Sequence, residues 1–536
     1  MPSAFAQHVM RRHLGFALVL ALLAPLFLIW TWNDQLGEVG SDATDYLLMA
    51  EAYAGGMHAD PVIAEAAAVS RFPPLYPLTL AWSGAASDLI RAHCVSTLFL
   101  LVALCLLYRW LCKEGMETDQ AALVTLAFAV LPVTWLIGLL IQSEYLYLLF
   151  SVAAVALLSS QQRHPVDVKL FAAALLIAAA VLTRTVGVAL LPPLLVVALR
   201  GKRRVGAVAL AIATAPLLLW HGLHRSQYSY GTALQLYYGG RLWSGVIAQV
   251  RDQLGAMYRV WMETLATGST LGSLVAGLWA VLVLFVLAKR ALAWRVDAVY
   301  LLAYLAILLV WPYPEVLQRL LWPIVPILLV LPLLELRRAS LRIGTRSVAP
   351  LFSSILGVFL LCKAIPEISY ASARYREAAF SEMPDVRGFE AWYGHDVAHD
   401  ADRLNAQLAL ISGLQRIAGQ VPATSCVIAT RNDLVQYYAR RRSVFPPLAS
   451  VPDPYFEQAL RATGCGYVFM FSAGDSHFPV PMHPWQRVRS YVRVLEALKF
   501  DAPPPGHSNF ATILAQLEPG SRSATLLNPS DAPDRH

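Results

Sequence analysis

Long apolar runs separated by short polar segments dominate the first two thirds of the chain. A helix needs about 17 to 25 predominantly apolar residues to cross a bilayer. This pattern predicts about eleven spanning helices, with two tightly joined pairs, near 142 and 184, that leave the count open by about one or two. The predicted spans are 14–32, 88–109, 119–141, 144–160, 168–184, 186–200, 205–222, 270–289, 297–313, 317–336 and 348–366.

After residue 366 the pattern changes to short apolar segments between polar ones, which is typical of an α/β domain. Strands are expected at 425–430, 467–471 and 510–517, and helices at 432–440 and 454–463. The predicted domains are therefore a transmembrane domain over 1–366, with outer loops 33–87 and 223–268, a soluble α/β domain over 367–518, and a disordered tail over 519–536.

Composition agrees with a membrane protein and excludes a single aqueous core. The 536 residues are 57% hydrophobic and 14% charged, against about 25% charged residues in soluble domains. The net charge of +7 forms short clusters between the apolar runs rather than a basic stripe with aromatics, so no nucleic-acid partner is expected.

The basic clusters also orient the predicted helices. They fall in alternate loops, and the positive-inside rule places such loops in the cytoplasm. The first apolar run lacks a small-residue cleavage site and is interpreted as a retained helix. The predicted location is the cytoplasmic (inner) membrane, multi-pass, with a cytoplasmic N-terminus and a periplasmic C-terminal domain. The clusters lie at 11–12, 109–113, 163–169, 200–204, 289–295 and 337–346.

Ionisable residues at membrane depth are costly and indicate function by default. On the predicted outer side, Asp42 and Asp45 follow the first helix, and Glu144 begins the fourth. Asp42 and Glu144 each have a simpler interpretation as a helix cap, since acids are favoured at the start of a helix.

Two arginines, Arg184 and Arg319, lie at the predicted outer ends of apolar helices. They either extend to the interface or clamp a phosphate, because the guanidinium fork matches phosphate geometry. Arg71 precedes a proline-rich segment, Pro73-Pro74-Leu75-Tyr76-Pro77, whose simpler interpretation is a rigid turn.

In this order the motifs resemble bacterial membrane glycosyltransferases of the C-type (GT-C) fold, related to protein mannosyltransferases and aminoarabinose transferases. The resemblance rests on Asp42-x-x-x-Tyr46, the proline-rich segment, Ser143-Glu144, Thr183-Arg184-x-x-Gly187, and Arg319 followed by prolines. The stretch Arg-Asn-Asp-Leu that starts at 431 is similar to the family's soluble tail. The expected fold is a GT-C-like polytopic helical protein with a C-terminal α/β domain.

The resemblance implies transfer of a hexosyl or pentosyl group from a polyprenyl-phosphate donor to an acceptor hydroxyl, with inversion. It implies catalytic roles for Asp42, Asp45 and Glu144, with Asp42 preferred over Asp45 as general base. Arg319, with Arg184, would neutralise the leaving phosphate. Tyr46 and Tyr76 would line the sugar pocket, and Arg71 is added as a substrate-binding candidate. The acceptor would be a glycan, a lipid or a protein.

The sequence gives only weak indications of a metal site or of a disulfide. The pair His395 and His399 has metal-ligand spacing, but it lacks an evident third ligand, so no cofactor is assigned; a divalent metal is possible but not indicated. An external compartment permits a disulfide between Cys426 and Cys465, although two buried thiols are favoured.

Other classes of function stay open at this point. A transporter or lipid flippase for envelope glycan precursors is the main alternative, but no internal repeat is evident and the charged motifs lie at the rim. A ligase or polymerase that uses a diphosphate-linked glycan, and a non-catalytic assembly factor, are further alternatives.

Overall fold

The fold is that of a computed structural model. It describes residues 4–32, 34, 36, 42–163, 166–223, 242–265, 270–311, 317–343, 349–377, 397–447, 451, 453–471, 488–499 and 510–518. The chain forms two compact units. The first, here the membrane unit, comprises Met1–Asn33, Arg71–Arg225 and Tyr238–Tyr370. The second, here the α/β unit, comprises Asp34–Ser70, Ser226–Tyr237 and Ala371–His536.

Helices make up the membrane unit. Its first helices are α1 (Ala4–Thr31), α4 (Leu75–Trp82), α5 (Leu89–Lys113), α6 (Thr118–Ala129), α7 (Pro132–Gly138), α8 (Glu144–Arg163) and α9 (Asp167–Thr183). The later ones are α10 (Leu191–Arg200), α11 (Arg203–Leu223), α12 (Leu242–Leu265), α13 (Thr270–Leu292), α14 (Val296–Leu309), α15 (Leu317–Leu321), α16 (Val325–Ile343) and α17 (Ala349–Glu377). The numbers α2 and α3 belong to helices of the α/β unit.

Every predicted apolar run falls on helix within the described residues, but not every run is one continuous span. Among the described residues, six helical segments are long and apolar enough to cross a membrane, one of them running through α15 and α16, and a seventh span arises if α6 and α7 are joined. This pair is bent by 57° just before Pro132, which cannot continue the hydrogen-bonding pattern of α6. The chain is therefore a multi-pass membrane protein whose shorter apolar helices complete the bundle.

One end of the membrane unit is held together by side chains from α1, α7 and α8. Trp30, near the end of α1, donates a hydrogen bond to the Trp135 carbonyl of α7. Thr134 of α7 accepts a 2.9 Å hydrogen bond from the indole of Trp322, in the 3-10 turn Trp322–Ile324 between α15 and α16. Tyr145, in the first turn of α8, donates to the Thr134 carbonyl. The start of α8 and the α15–α16 junction thus lie at the same end as the end of α1.

The α/β unit contains a five-stranded mixed sheet in the order β2-β1-β3-β5-β4. Strand β1 pairs in parallel with β2 and β3, and β5 pairs antiparallel with β3 and β4. The strands are β1 (Cys426–Ala429), β2 (Arg442–Val444), β3 (Tyr467–Phe471), β4 (Val492–Lys499) and β5 (Phe510–Leu517). The helices are α2 (Ala43–Gly55), α3 (Pro61–Val69), α18 (Val397–Gln420), α19 (Asn432–Leu434) and α20 (Asp453–Ala462).

The predicted α/β character is confirmed, with two strands that the pattern did not indicate. Strand β2 is only three residues long, and β4 carries the helix formers Leu495, Glu496 and Ala497. Pairing with β5 overrides that local preference, because strand preference depends mainly on cross-strand packing. The predicted helix 432–440 is α19 followed by the π-helical turn Val435–Ala439.

The expectation of two buried thiols was wrong. Cys426 at the start of β1 and Cys465 just before β3 form a disulfide. Neighbouring parallel strands β1 and β3 bring the two residues together, although 39 positions separate them in the sequence. The sequence alone could not predict this disulfide, because separation along the chain does not show which strands are neighbours.

The predicted domain boundaries stay predictions. The contiguous ranges 1–366 and 367–518 differ from the compact units, because Asp34–Ser70 groups with the C-terminal part. The predicted tail 519–536 lies outside the described residues.

Candidate active site

Three predicted site residues meet at the end of the membrane unit where α8 begins. Glu144 Oε1 lies 2.5 Å from Arg184 Nη1 and 3.0 Å from Arg319 Nε. The Glu144 side chain is fully buried, whereas the side chains of Arg184 and Arg319 are 10% and 20% exposed. We call these three residues the glutamate–arginine cluster. Both guanidinium groups thus contact the same buried carboxylate, and both side chains remain partly exposed at the surface of the unit.

Glu144 and Arg184 are placed by breaks in helical structure. Glu144 is the first residue of α8. Arg184 has extended backbone between α9 and the 3-10 turn Thr185–Leu190. A Cβ atom at Gly187 would lie 2.7 Å from the backbone of Ala180, so only glycine permits this turn to pack against α9. Arg184 also donates a 3.3 Å hydrogen bond to Ser143.

Arg319 lies on α15, the short helix before the Trp322–Ile324 turn. Tyr304 of α14 donates a 2.6 Å hydrogen bond to the carbonyl of Leu320. This bond and the Trp322 indole hold the backbone on both sides of the junction. Prolines at 323 and 326 keep α15 short, because proline interrupts regular helix pairing.

Tyr76 and Arg71 also belong to the membrane unit. Tyr76 is fully buried, and its hydroxyl lies 2.9 Å from Ser96 Oγ on α5. The guanidinium of Arg71 lies 5.1 Å from the ring centre of Phe72, a cation–π contact. Tyr76 is thus a packed side chain, and its predicted role as a lining of the sugar pocket stays a prediction, as does substrate binding by Arg71.

The acidic motif belongs to the α/β unit. Asp42 is at the N-cap position of α2 and Asp45 is in its first turn, and both are half-buried. Within the described residues, the Asp42 side chain makes no capping hydrogen bond to α2, so the simple capping interpretation is not supported. Tyr46 is buried, with its amide donating to the Asp42 carbonyl at 3.1 Å.

Next to this motif lies a buried ion pair that the sequence interpretation missed. Asp433 of α19 accepts hydrogen bonds from Arg431 at 2.6 and 2.8 Å and from Thr44 Oγ1 at 2.6 Å. Burial disfavours the charged guanidinium, but Asp433, and then Asp45 and Asp42, outweigh burial and raise the pKa of Arg431. The only available signal was the Arg-Asn-Asp-Leu stretch of the family resemblance.

A second group of buried charges lies at the opposite end of α8. The carbonyl of Trp294, just before α14, accepts a hydrogen bond from Gln162 at the end of α8. There Arg290 contacts Asp297 and Glu335, while Glu114 contacts Arg295 and Arg338. Arg338 and Lys289 also contact Glu335. We call these residues the basal ion network: Glu114, Lys289, Arg290, Arg295, Asp297, Glu335 and Arg338.

The basal ion network joins the basic clusters at 289–295 and 337–346, and its Glu114 directly follows the cluster at 109–113. The clusters at 109–113, 289–295 and 337–346 meet at one end of the membrane unit, as alternation of the loops predicts. The side of the membrane that this end faces stays a prediction. Its acids were not predicted as a group, because Glu114, Asp297 and Glu335 are far apart in the sequence.

Among the described residues, no group of three or more His, Cys, Asp or Glu side chains is arranged to hold a metal ion. His395 lies outside the described residues, and the His399 side chain is likewise not described. The arrangement that the structure does show suits anion binding, because arginine forks bind phosphate oxygens in pairs.

No family model matches the chain, and no curated protein is similar to it in sequence. Solved structures do resemble it. The oligosaccharyltransferase of Archaeoglobus fulgidus, with a tethered acceptor peptide, matches with a TM-score of 0.46 and 11% identity over 92% of this chain and 74% of that one.

ArnT from Cupriavidus metallidurans matches in its apo state with a TM-score of 0.43 and 15% identity, over 94% of this chain and 98% of that one. Its complex with undecaprenyl phosphate matches with a TM-score of 0.41 and 14% identity, over 96% and 99%. Since the TM-scores are below 0.5, the proposals below depend on the residues of this chain.

Proposed function

We propose that the protein transfers a sugar from a polyprenyl-phosphate donor to an acceptor hydroxyl at the outer face of the cytoplasmic membrane. The observation that carries this proposal is the glutamate–arginine cluster, in which buried Glu144 gathers Arg184 and Arg319 at one end of the membrane unit. A leaving phosphate gains negative charge as the glycosidic bond breaks, and positioned guanidinium groups stabilise such charge.

The proposed reaction is a single inverting displacement. The acceptor oxygen attacks the anomeric carbon, the bond from that carbon to the phosphate oxygen breaks, and polyprenyl phosphate leaves with the electron pair. Asp42 takes the hydroxyl proton as general base, with Asp45 as the second candidate. Arg319 and Arg184 bind the leaving phosphate. Glu144 holds both arginines in place, which makes it a positioning residue in this scheme.

The disulfide supports an outward α/β unit. Cys426 and Cys465 are bonded, and disulfides form and persist in oxidising compartments outside the cytoplasm. A donor carried by a lipid suits that side, where nucleotide sugars are absent. Labelling cysteines introduced at exposed sites with a membrane-impermeant reagent in intact spheroplasts tests this topology. Labelling at 458 but not at 292 supports it, and the reverse contradicts it.

The transfer itself is tested in proteoliposomes with a radiolabelled polyprenyl-phosphate sugar and an acceptor extract. Wild type should move the label to a new acceptor, and Asp42→Asn should reduce the rate by about 100-fold or more, as expected for loss of a general base. Asp60→Asn is the matched control, because Asp60 lies in the same segment and accepts a hydrogen bond from Val62 at the start of α3.

Three outcomes distinguish the alternatives. Full activity in folded Asp42→Asn, with loss of activity in Asp45→Asn, moves the base to Asp45. Full activity in both variants shows that neither acid is the base. Movement of the labelled lipid between leaflets without transfer supports a flippase and contradicts the proposed enzyme.

A further inference from the structure

Within the α/β unit, the segment that carries Asp42 and Asp45 is joined at three points to the stretch 431–442. Thr44 donates to Asp433 at 2.6 Å. Arg440 contacts Glu51, further along α2, at 2.9 Å, and Arg442 contacts Glu65 of α3 at 2.9 Å. The contacts lie in sequence order along both segments, from the first turn of α2 to the middle of α3.

The three contacts differ in their exposure to solvent. Thr44 and Asp433 are buried, and Arg431 binds Asp433 through both carboxylate oxygens. The other two pairs have side chains that are about a third to a half exposed. Exposed pairs contribute little to stability and weaken in salt, whereas a buried hydrogen bond to a charged group is stronger and directional.

We propose that Asp433 and Arg431 are positioning residues for the acidic motif: they hold the first turn of α2 through Thr44 and so orient Asp42 and Asp45 for reaction. The inference rests on the proposed function of these acids. Thr44 is the contact point because it lies between them in the sequence, one residue before Asp45. In this scheme the α/β unit orients the general base, in addition to any role in binding the acceptor.

The chemistry of the pair suits this task. A bidentate arginine holds the Asp433 carboxylate in one orientation, so its Oδ2 is a fixed acceptor for the Thr44 hydroxyl. The positive charge of Arg431 also favours the ionised form of nearby acids, which a general base requires. The other described acidic, basic and histidine side chains on α2, on α3, on the turn between them and along 431–442 are Glu51, His58, Asp60, Glu65, Asp433, Arg440, Arg441 and Arg442.

The main test compares two substitutions at one position. Thr44→Val keeps the shape of the side chain and removes the hydroxyl, whereas Thr44→Ser keeps the hydroxyl. We expect Thr44→Val to lower kcat about tenfold or more with little change in KM, and Thr44→Ser to remain close to wild type. Glu65→Gln, which breaks an exposed pair on the same segment, is the matched control and should leave kcat unchanged.

A second measurement tests how the positive charge of Arg431 affects the pH dependence of the reaction. Arg431→Gln should move the acidic limb of the pH–rate profile to higher pH, because the acids lose a positive neighbour, and Arg431→Lys should restore part of the shift. A variant that only loosens the fold would lower the rate at all pH values without moving the limb. Circular dichroism and thermal unfolding establish that each variant is folded.

Hydrogen exchange separates failure of this inference from failure of the proposed function. Amides in the peptide covering 43–55 should exchange faster in Thr44→Val than in wild type or Glu65→Gln. If wild type transfers no sugar, the proposed function fails, and faster exchange would still support positioning of the turn by Asp433. Wild-type kcat together with wild-type exchange in folded Thr44→Val would overturn the inference.

Discussion

The two ends of the membrane unit both bury a carboxylate against arginines, but they arrange the charges differently. In the basal ion network, which has four cations and three carboxylates, Arg290 is only 1% exposed and contacts Asp297 and Glu335. Its Glu114, directly after α5, contacts two arginines that are about a quarter exposed. In the glutamate–arginine cluster, Arg184 and Arg319, whose side chains are 10% and 20% exposed, both contact buried Glu144. A buried glutamate with two partly exposed arginines thus occurs at both ends, and the feature that sets the first end apart is Arg290, an inaccessible arginine between two acids.

This difference indicates different tasks. A buried charge enclosed by opposite charges contributes to folding mainly because removing one partner leaves the others uncompensated. Arginines gathered on one carboxylate near the surface are instead suited to bind an incoming anion. Burial of an ion pair alone therefore does not identify a site; access of the guanidinium group distinguishes Arg290 from Arg184 and Arg319.

The largest effect is expected from Arg290→Met in the basal ion network. Asp297 and Glu335 would lose a buried partner, so unfolding free energy should fall by about 3–5 kcal/mol. Thermal unfolding in detergent measures this, with Lys289→Met as the control, because Lys289 is half-exposed and should change stability by less than about 1 kcal/mol. An equal loss of unfolding free energy in both variants would contradict the proposed difference between the buried Arg290 and the exposed Lys289.

The comparison is sharpened by replacing both members of the buried pair. Arg290→Met with Asp297→Leu should recover part of the stability lost in Arg290→Met alone, since well-packed apolar residues often replace buried ion pairs without loss. A double variant less stable than the single one would contradict this explanation.

In the glutamate–arginine cluster, we expect a substitution to cost a similar free energy, but in the rate of transfer rather than in the free energy of unfolding. Arg319→Gln should reduce transfer by about 100- to 1,000-fold, the usual cost of removing one charge-stabilising donor. Its melting temperature should stay close to that of wild type. Arg337→Gln, whose partner Glu117 is exposed, is the control and should keep its activity. A strongly destabilised but active Arg319→Gln would assign a structural role to this end as well.

The smallest of these effects concerns the α/β unit, which neither charge group should influence. Replacing both Cys426 and Cys465 by serine should lower the stability of this unit by about 2–4 kcal/mol, because the bond closes a loop between residues 39 positions apart. Reduction with a thiol should have the same effect, followed by circular dichroism of the sheet. A melting transition of the membrane unit that shifts equally would show that the units do not unfold independently.

Sequence reasoning found the members of the glutamate–arginine cluster because each lies where an apolar helix begins or ends. It assigned Glu144 to the helix dipole, or to orienting the acceptor or a site residue, and the structure pairs it with both arginines. Asp433 and Arg431 were missed because an acid two residues after an arginine is unremarkable in a soluble segment. Only the fold shows that Thr44, 389 positions away, reaches the same carboxylate.

Local pattern alone determined the helical runs, the basic clusters and the α/β character of the C-terminal part, because hydrophobic length and periodicity act over a few turns of chain. Tertiary structure decided which helices were broken, which cysteines bonded, and which charges became partners. Those outcomes depend on contacts between residues distant in sequence, and a charge acquires its role from the groups packed around it. The same residue types thus enclose Arg290 between two acids at one end of α8 and bring Arg184 and Arg319 to Glu144 at the other.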